Sequence, residues 1–378
     1  MSHGNKTGDA RGVKALLKPS IHWLFAFIPI TLILEHAGKV PPPVIFFSAA
    51  LAIVPIAALI VHATEQIATR TGDAIGGLLN ATFGNAPELI IAVVALKAGY
   101  LDMVRASIIG AILANLLLAL GVAFLLGGFR FHDQKFNATG ARAYSTMMLL
   151  AAVSLAVPSA FSRYFSPTDT IRQEKMLNLG IAVLLLLAYG LYLLFSLKTH
   201  PKEFASEDAG RGSAEHHEEK QWGLPRAIGS LVGASVLAAW MSEVLVGAAE
   251  GTGKSLGMSD VFIGIIFLAI VGGAAESGSA IAMARKGKVD LSVGIALGSS
   301  IQIALFVAPV LVLASYFIAP APLELSFGRA EVGSLFIAVL LGTVVCSDGH
   351  ANWFKGVQLI TLYAIFALMF YFMPALKP

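Results

Sequence analysis

Two carboxylates in this chain are placed where they could handle a cation or a proton: Glu88 in Gly84-Asn85-Ala86-Pro87-Glu88, and Glu276 in Gly272-Gly273-Ala274-Ala275-Glu276. Each stands beside helix-loosening residues inside an apolar stretch, where a charge is costly and a functional role is the default reading. An offset of 188 residues, with no gap, carries Glu88 onto Glu276. The same offset superposes Ile75 on Ile263, Gly76 on Gly264, Gly84 on Gly272, Asp102 on Asp290 and Gly110 on Gly298. The pattern is that of an internal duplication, and packing alone would not demand the same acid at both matched points.

The neighbouring residue types define the chemistry. Pro87 removes one helix hydrogen bond and Gly84 weakens the turn before it, so the segment is expected to bend or unwind at Glu88 and to free backbone carbonyls. Gly272 and Gly273 supply the same looseness in the second copy. Carboxylates and carbonyls are hard ligands that suit Ca²⁺, and less closely Mg²⁺ or Mn²⁺. The predicted ion site is Glu88 and Glu276 with Gly84, Asn85, Gly272, Asn115, Ser299, Ser300 and Gln302, the last four lying in the apolar segment that follows each motif. Thr82 is a further candidate beside Asn85 at the first bend, and Ser277 a weaker one. Glu65 and Glu243 are assigned to a proton or ion vestibule; Glu250 and Asp348, near helix ends, are expected to be solvated.

The elements that must hold these groups are membrane spans. Hydrophobic residues make up 57% of the chain and charged residues 13%, about half the charged share of an ordinary soluble domain. Apolar runs of spanning length fall near 21–37, 43–64, 75–97, 103–127, 141–161 and 176–197, then near 225–248, 259–284, 290–315, 329–347 and 355–375. The basic stretch through Ser20 resembles a signal peptide, but the run after it lacks a small-residue cleavage pattern and is read as a retained span. The predicted fold is thus an all-α polytopic membrane protein of eleven transmembrane helices, one leading helix plus two five-helix repeats. The divisions are 1–41, 42–197, a polar acidic and histidine-bearing linker at 198–222, and 223–378.

Charge gives the orientation. With the N-terminus in the cytoplasm, 17 of the 26 Lys and Arg residues fall on the inner side. The two motif-bearing spans are then the third and the eighth and run in opposite senses, so the duplication has inverted topology. Inverted repeats with interrupted helices are the signature of a secondary transporter. The linker cluster Glu215-His216-His217-Glu218-Glu219 reads as a solvated charge run. The lone Cys346 excludes an intrachain disulfide and reads as a small core residue.

The run Gly76-Gly77-Leu78-Leu79-Asn80-Ala81-Thr82-Phe83 leading into Gly84–Glu88, the run Gly298-Ser299-Ser300-Ile301-Gln302-Ile303-Ala304-Leu305-Phe306-Val307, and Asp348-Gly349 through Asn352-Trp353 closely resemble the calcium/proton exchangers of the cation/proton exchanger (CAX) family. The resemblance extends from about Phe25 to Phe372. It implies a leading helix before two inverted five-span repeats, an acidic linker, and a cation held between the two motif glutamates and exchanged for protons. The chain departs from the family pattern at Gly273 and Ser277, where Asn and His are usual, and at His350, where an acid follows Asp-Gly.

These readings converge on an antiporter of the inner, plasma or an organellar membrane that exports cytoplasmic Ca²⁺ against protons, surrounded by lipid and binding no nucleic acid and no cofactor. A Na⁺ or K⁺/proton antiporter on the same fold is the alternative left by Gly273 and Ser277. An intramembrane enzyme would need a nucleophile with its base, paired aspartates or a His-Glu-x-x-His zinc motif, and none is present. The absence of an ATP-binding motif argues against a pump.

Overall fold

The computed structural model describes residues 21–71, 73–165, 171–204 and 221–373. The basic residues Lys6, Arg11, Lys14 and Lys18 and the linker cluster at 215–219 lie outside the described residues. Within them the chain is helical apart from one two-stranded ribbon.

The first half runs through α1 (Ile21–His36), α2 (Pro42–Thr71), α3 (Asp73–Phe83), α4 (Ala86–Lys97) and α5 (Leu101–Phe131). Strand β1 (Asp133–Lys135) follows, then α6 (Ala138–Phe165), α7 (Ile171–Leu194) and a short α8 (Pro201–Phe204). The second half contains α9 (Leu224–Leu256), α10 (Asp260–Gly272), α11 (Ala274–Arg285), α12 (Val289–Ile318), α13 (Arg329–Cys346), β2 (His350–Asn352) and α14 (Trp353–Phe372). Eight of these helices (α2, α5, α6, α7, α9, α12, α13 and α14) are long and apolar enough to cross a membrane, and α10 with α11 makes a ninth if the bent pair is one span. The shorter apolar α1 and the broken pair α3 and α4 fall where the remaining two of the eleven predicted spans were placed.

Both motif segments break where the sequence is loosest. α3 stops at Phe83 and α4 restarts at Ala86, so Gly84 and Asn85 form the joint and Pro87 sits in the first turn of the new helix, where its missing N–H has no partner to lose. α10 and α11 meet at Gly273 with a 58° bend. The 188-residue offset persists in the backbone: α4 ends at Lys97 and α11 at Arg285, followed by left-handed Gly99 (φ 87°) and Gly287 (φ 78°). π-helical turns interrupt α5 at Ala114–Ala119, just past the centre of the core, and α12 at Ile303–Val307. Such turns cost helix stability and cluster at functional positions.

Small residues allow the halves to cross closely, as interfaces between membrane helices require. α5 crosses α10 at Gly264, where an added β-carbon would lie 2.6 Å from the Met103 carbonyl and 2.8 Å from the Ala106 Cβ. A β-carbon on Gly110 of α5 would in turn overlap the Ile265 backbone. α2 and α9, the first long helix of each half, pack along one another and share the core of Phe46, Ile53, Ile56, Met241 and Leu245. At one end β1 pairs antiparallel with β2, Gln134 opposite Ala351, and so ties the halves together. That end, here the ribbon end, also carries Trp222, whose backbone N–H donates to Gln66 Oε1 at 3.0 Å.

Candidate ion-binding site between the two helix breaks

Glu88 and Glu276 are each the third residue of the helix that restarts after a break, α4 and α11. The positive end of the helix dipole makes that position hospitable to an acid. Both residues are 8% exposed, their carboxyls are within hydrogen-bonding reach of one another, and none of the four oxygens has a hydrogen-bond partner outside the pair. A buried acid pair whose oxygens have no partners but each other is not a stable packing motif when ionised, because unpaired buried charge is strongly destabilising. Protons or a cation must complete it. Among the described residues no third acidic, histidine or cysteine side chain joins the pair, so further ligands for a cation must be neutral oxygens or water.

Those neutral oxygens form a chain across the two halves. Asn115 Nδ2, in the π-turn of α5, donates to Ser299 Oγ at 3.0 Å, and Ser299 Oγ donates to Asn85 Oδ1 at 2.7 Å. Asn85 Nδ2 in turn donates to Gln302 Oε1. Asn85 occupies the N-cap position of α4, yet its side chain makes no cap bond and reaches across to α12 instead. Glycines make the close approach possible. A β-carbon on Gly272 would lie 2.9 Å from Glu88 Cγ, and one on Gly84 would lie 3.4 Å from Gln302 Oε1. The vacant side of Gly273 is bounded by Asn115 Oδ1 and Glu88 Oε1, each 3.6 Å from where its β-carbon would stand.

A cavity of about 320 Å³ leads from this centre to the ribbon end. Glu276, Ser299, Gln302 and Gly84 line it at the centre; Asn80, Ser279 and Tyr144 line its wall; Asn137, Asp290, Phe204 and Glu65 line its mouth. Asp290 Oδ1 accepts the Asn137 backbone N–H at 2.5 Å, which fixes one side of that mouth. Glu88 also borders a separate cavity of about 20 Å³, lined by Ser107 and otherwise by apolar side chains.

The structure therefore brings together Glu88, Glu276, Gly84, Asn85, Gly272, Asn115, Ser299 and Gln302, and places Glu65 at the cavity mouth. Ser300 is not part of the group: its hydroxyl donates to the Ala296 carbonyl of its own helix at 2.9 Å, because it points about 100° around α12 from Ser299. Glu243 is exposed on the outer surface of α9 and lines none of the cavities found among the described residues. Thr82 is spent on the Leu78 carbonyl at 2.8 Å, and Ser277 lines neither the large nor the small cavity. Glu250 pairs with Lys254 at the far end, and Asp348 with Lys355 beside the ribbon. Partial burial acts to raise the Asp348 carboxyl, but the Lys355 ammonium and the His350 backbone N–H hold it below the usual carboxylate range. Asn80, Ser279 and Tyr144 were not singled out from the sequence. Ser279 stands one turn beyond Glu276, which was the one available signal for it.

The model of the family described as sodium/calcium exchanger protein matches this chain twice, over residues 42–198 and 226–372. A Ca²⁺/H⁺ antiporter of Aphanothece halophytica is 40% identical over 365 residues, 93% of this chain and 96% of the relative. The vacuolar calcium ion transporter of Schizosaccharomyces pombe is 38% identical over 98% of this chain and 88% of its own length. Among solved structures, native YfkE superposes with a TM-score of 0.80 at 36% identity, covering 94% of this chain and all of that one. The H⁺/Ca²⁺ exchanger CAX, at 14% identity and a TM-score of 0.67, shares the fold. These relatives are by name transporters rather than enzymes, and the chain belongs to the sodium/calcium exchanger protein family, alongside the calcium/proton exchangers that its motifs resemble.

Proposed function

We propose that the chain is a secondary antiporter that exchanges cytoplasmic Ca²⁺ for protons, with Glu88 and Glu276 shared between ion and protons. The observation that carries this reading is the pair of adjacent buried carboxyls whose four oxygens have no partner in the protein beyond the pair itself. One divalent cation or two protons balance the same pair of charges, so the two cargoes exclude one another. Ca²⁺ takes 6–8 oxygens at roughly 2.3–2.6 Å. The carboxylates and Asn115 Oδ1 are the protein ligands, Asn85, Ser299 and Gln302 hold the amides in register, and water from the 320 Å³ cavity supplies the rest. The names of the relatives support Ca²⁺ and protons as cargo.

The architecture proposed for this exchange is eleven spans: α1, then five in each of two inverted repeats, with the third span broken between α3 and α4 and the eighth between α10 and α11. The two separate matches of the family model, at 42–198 and 226–372, support the repeat boundaries. The excess of Lys and Arg supports a cytoplasmic N-terminus, which places the ribbon end and the mouth of the large cavity in the cytoplasm. The state described is then open to the inside, and one repeat rocking against the other would expose the pair to the opposite face. The membrane proposed is the inner or plasma membrane.

Gly273 favours a second reading, a Na⁺ or K⁺/proton antiporter, because it withholds an amide ligand from the site. Uptake of labelled Ca²⁺, and separately of labelled Na⁺, into proteoliposomes under an imposed pH gradient tests both. Proton-driven Ca²⁺ flux that Na⁺ and K⁺ do not replace is expected. Flux of Na⁺ or K⁺ without Ca²⁺ would select the second reading, and no flux would overturn both.

A further inference from the structure

The last turn of α5 ends in Phe129-Arg130-Phe131, and all three residues are exposed. Their neighbours fix them in place. Arg130 Nη1 donates to the Arg285 carbonyl at 2.9 Å, at the C-terminal end of α11, and its guanidinium stands 5.4 Å from the centre of the Phe131 ring. The Phe131 ring lies over the next turn, where a β-carbon on Gly287 would be 3.2 Å from it. On the other side Phe129 stacks on Trp353, the first residue of α14, with ring centres 6.1 Å apart and planes 17° from parallel. The chain beyond α11 adds Lys286 and Lys288, exposed like Arg285. Cations and aromatic rings thus share one exposed surface at the ribbon end.

Among the described residues none of Arg130, Arg285, Lys286 and Lys288 pairs with a carboxylate. The acids nearest to them in sequence are engaged elsewhere: Asp133 lies 3.2 Å from His350 Nδ1, and Asp290 Oδ1 accepts the Asn137 backbone N–H. The backbone does not ask for the charge. At the offset of 188, Arg285-Lys286-Gly287-Lys288 matches Lys97-Ala98-Gly99-Tyr100, which makes the same left-handed glycine turn at the far end with one cation in place of three, and Arg130 matches Ile318. Orientation in the membrane calls for Lys and Arg on the inner side, but not for a guanidinium tied down between a helix end and an aromatic ring.

We propose that this surface binds the headgroup of an anionic phospholipid, with Arg130, Lys286 and Lys288 holding the phosphate and Phe129, Phe131 and Trp353 lying along the upper acyl chains. Charge and depth both argue for lipid. Amphipathic aromatic rings such as Trp sit at headgroup level, and Lys and Arg clustered there attract anionic lipid. One N–H of Arg130 is spent on the Arg285 carbonyl, which leaves the rest of its planar fork to phosphate oxygens. The site goes beyond the exchange reading and rests on it only for the leaflet, the cytoplasmic one. α11 begins at the break beside Glu276 and ends at this surface, so a bound headgroup anchors the helix on which half of the ion site is built.

The test is quenching of tryptophan fluorescence in the full-length protein in bilayers by brominated phosphatidylglycerol against brominated phosphatidylcholine, the part removed by Trp353→Phe being assigned to this surface. Phosphatidylglycerol should be preferred there by about ten-fold or more at low salt, and by less at high salt. Lys286→Gln with Lys288→Gln, which leaves the Arg130 bond to α11 intact, should lower the preference by about five-fold or more. Lys286→Arg with Lys288→Arg should keep it, as should Lys97→Gln at the far end and the addition of inorganic phosphate at millimolar concentration. Equal quenching by the two lipids, a preference that survives the glutamine pair, equal loss in the glutamine and arginine pairs, or a preference that inorganic phosphate abolishes would overturn the proposal. The measurement needs no transported cation and no pH gradient, so a protein that moves no Ca²⁺ but shows this pattern would refute the exchange reading and leave the lipid site standing.

Discussion

Glu88 is packed against the place where Gly272 has no side chain: a β-carbon on Gly272 would lie 2.9 Å from Glu88 Cγ. The acid of the first half thus fits into the helix break of the second, and the two breaks are parts of one site. Gly272→Ala should force Glu88 off its rotamer. Overpacking of this kind costs roughly 1–3 kcal/mol, so apparent Ca²⁺ affinity is expected to fall about ten-fold or more. Binding measured by calorimetry on purified protein checks this, and unchanged affinity would separate Glu88 from the ion.

Neutralising either acid should abolish exchange without unfolding the protein. Glu88→Gln and Glu276→Gln keep shape and volume but remove one of the two charges that balance a divalent cation. Less than about 1% of wild-type Ca²⁺ flux in proteoliposomes is expected from each, the loss corresponding to roughly 3 kcal/mol or more. Near-normal exchange by either variant would remove that residue from the site.

Adjacent serines should behave differently. Ser299→Ala leaves Asn85 Oδ1 without its donor and Asn115 Nδ2 without its acceptor, and such buried orphans cost about 1–3 kcal/mol. Ca²⁺ affinity should weaken by about ten-fold. Ser300→Ala deletes only a bond to its own helix and should change affinity less than two-fold. Equal effects of the two variants would contradict the amide chain as the holder of the ligands.

The acid pair, the two breaks and the duplication were legible because each signal is local: Glu88 and Glu276 stand out in apolar runs beside Gly and Pro, and matching at a fixed offset needs no geometry. Facing was not legible. Ser299 and Ser300 differ by one residue on a helix that turns π-helical immediately after Gln302, so only the packed structure decides which of them reaches Asn115. Glu243 is a related case: α9 is apolar on nearly every side, so its sequence does not mark which face is buried, and the structure leaves Glu243 exposed. Asn80 and Ser279 are ordinary polar residues, and only the packed structure shows them on the wall of the large cavity.

Selectivity should respond at the departures from the family pattern. Gly273→Asn would place an amide in the space between Asn115 Oδ1 and Glu88 Oε1. Combined with Ser277→His, it is expected to shift the ratio of Ca²⁺ to Na⁺ flux by several-fold, read in the same vesicles under one pH gradient. An unchanged ratio would mean that the vacant side of Gly273 does not face the ion.

The central claim, that protons and cation compete for one shared pair, is tested most directly by Ca²⁺ binding as a function of pH in the wild type and in Glu276→Gln. Protons bound to the pair must leave before a divalent ion is held, so apparent affinity should rise with pH through the titration of the pair, and loss of one acid should change the pH range over which the other responds. Wild-type affinity that climbs with pH, together with a displaced and shallower profile in Glu276→Gln, is the predicted result. Affinity indifferent to pH, or a variant profile that differs from wild type by a constant factor at every pH, would contradict it.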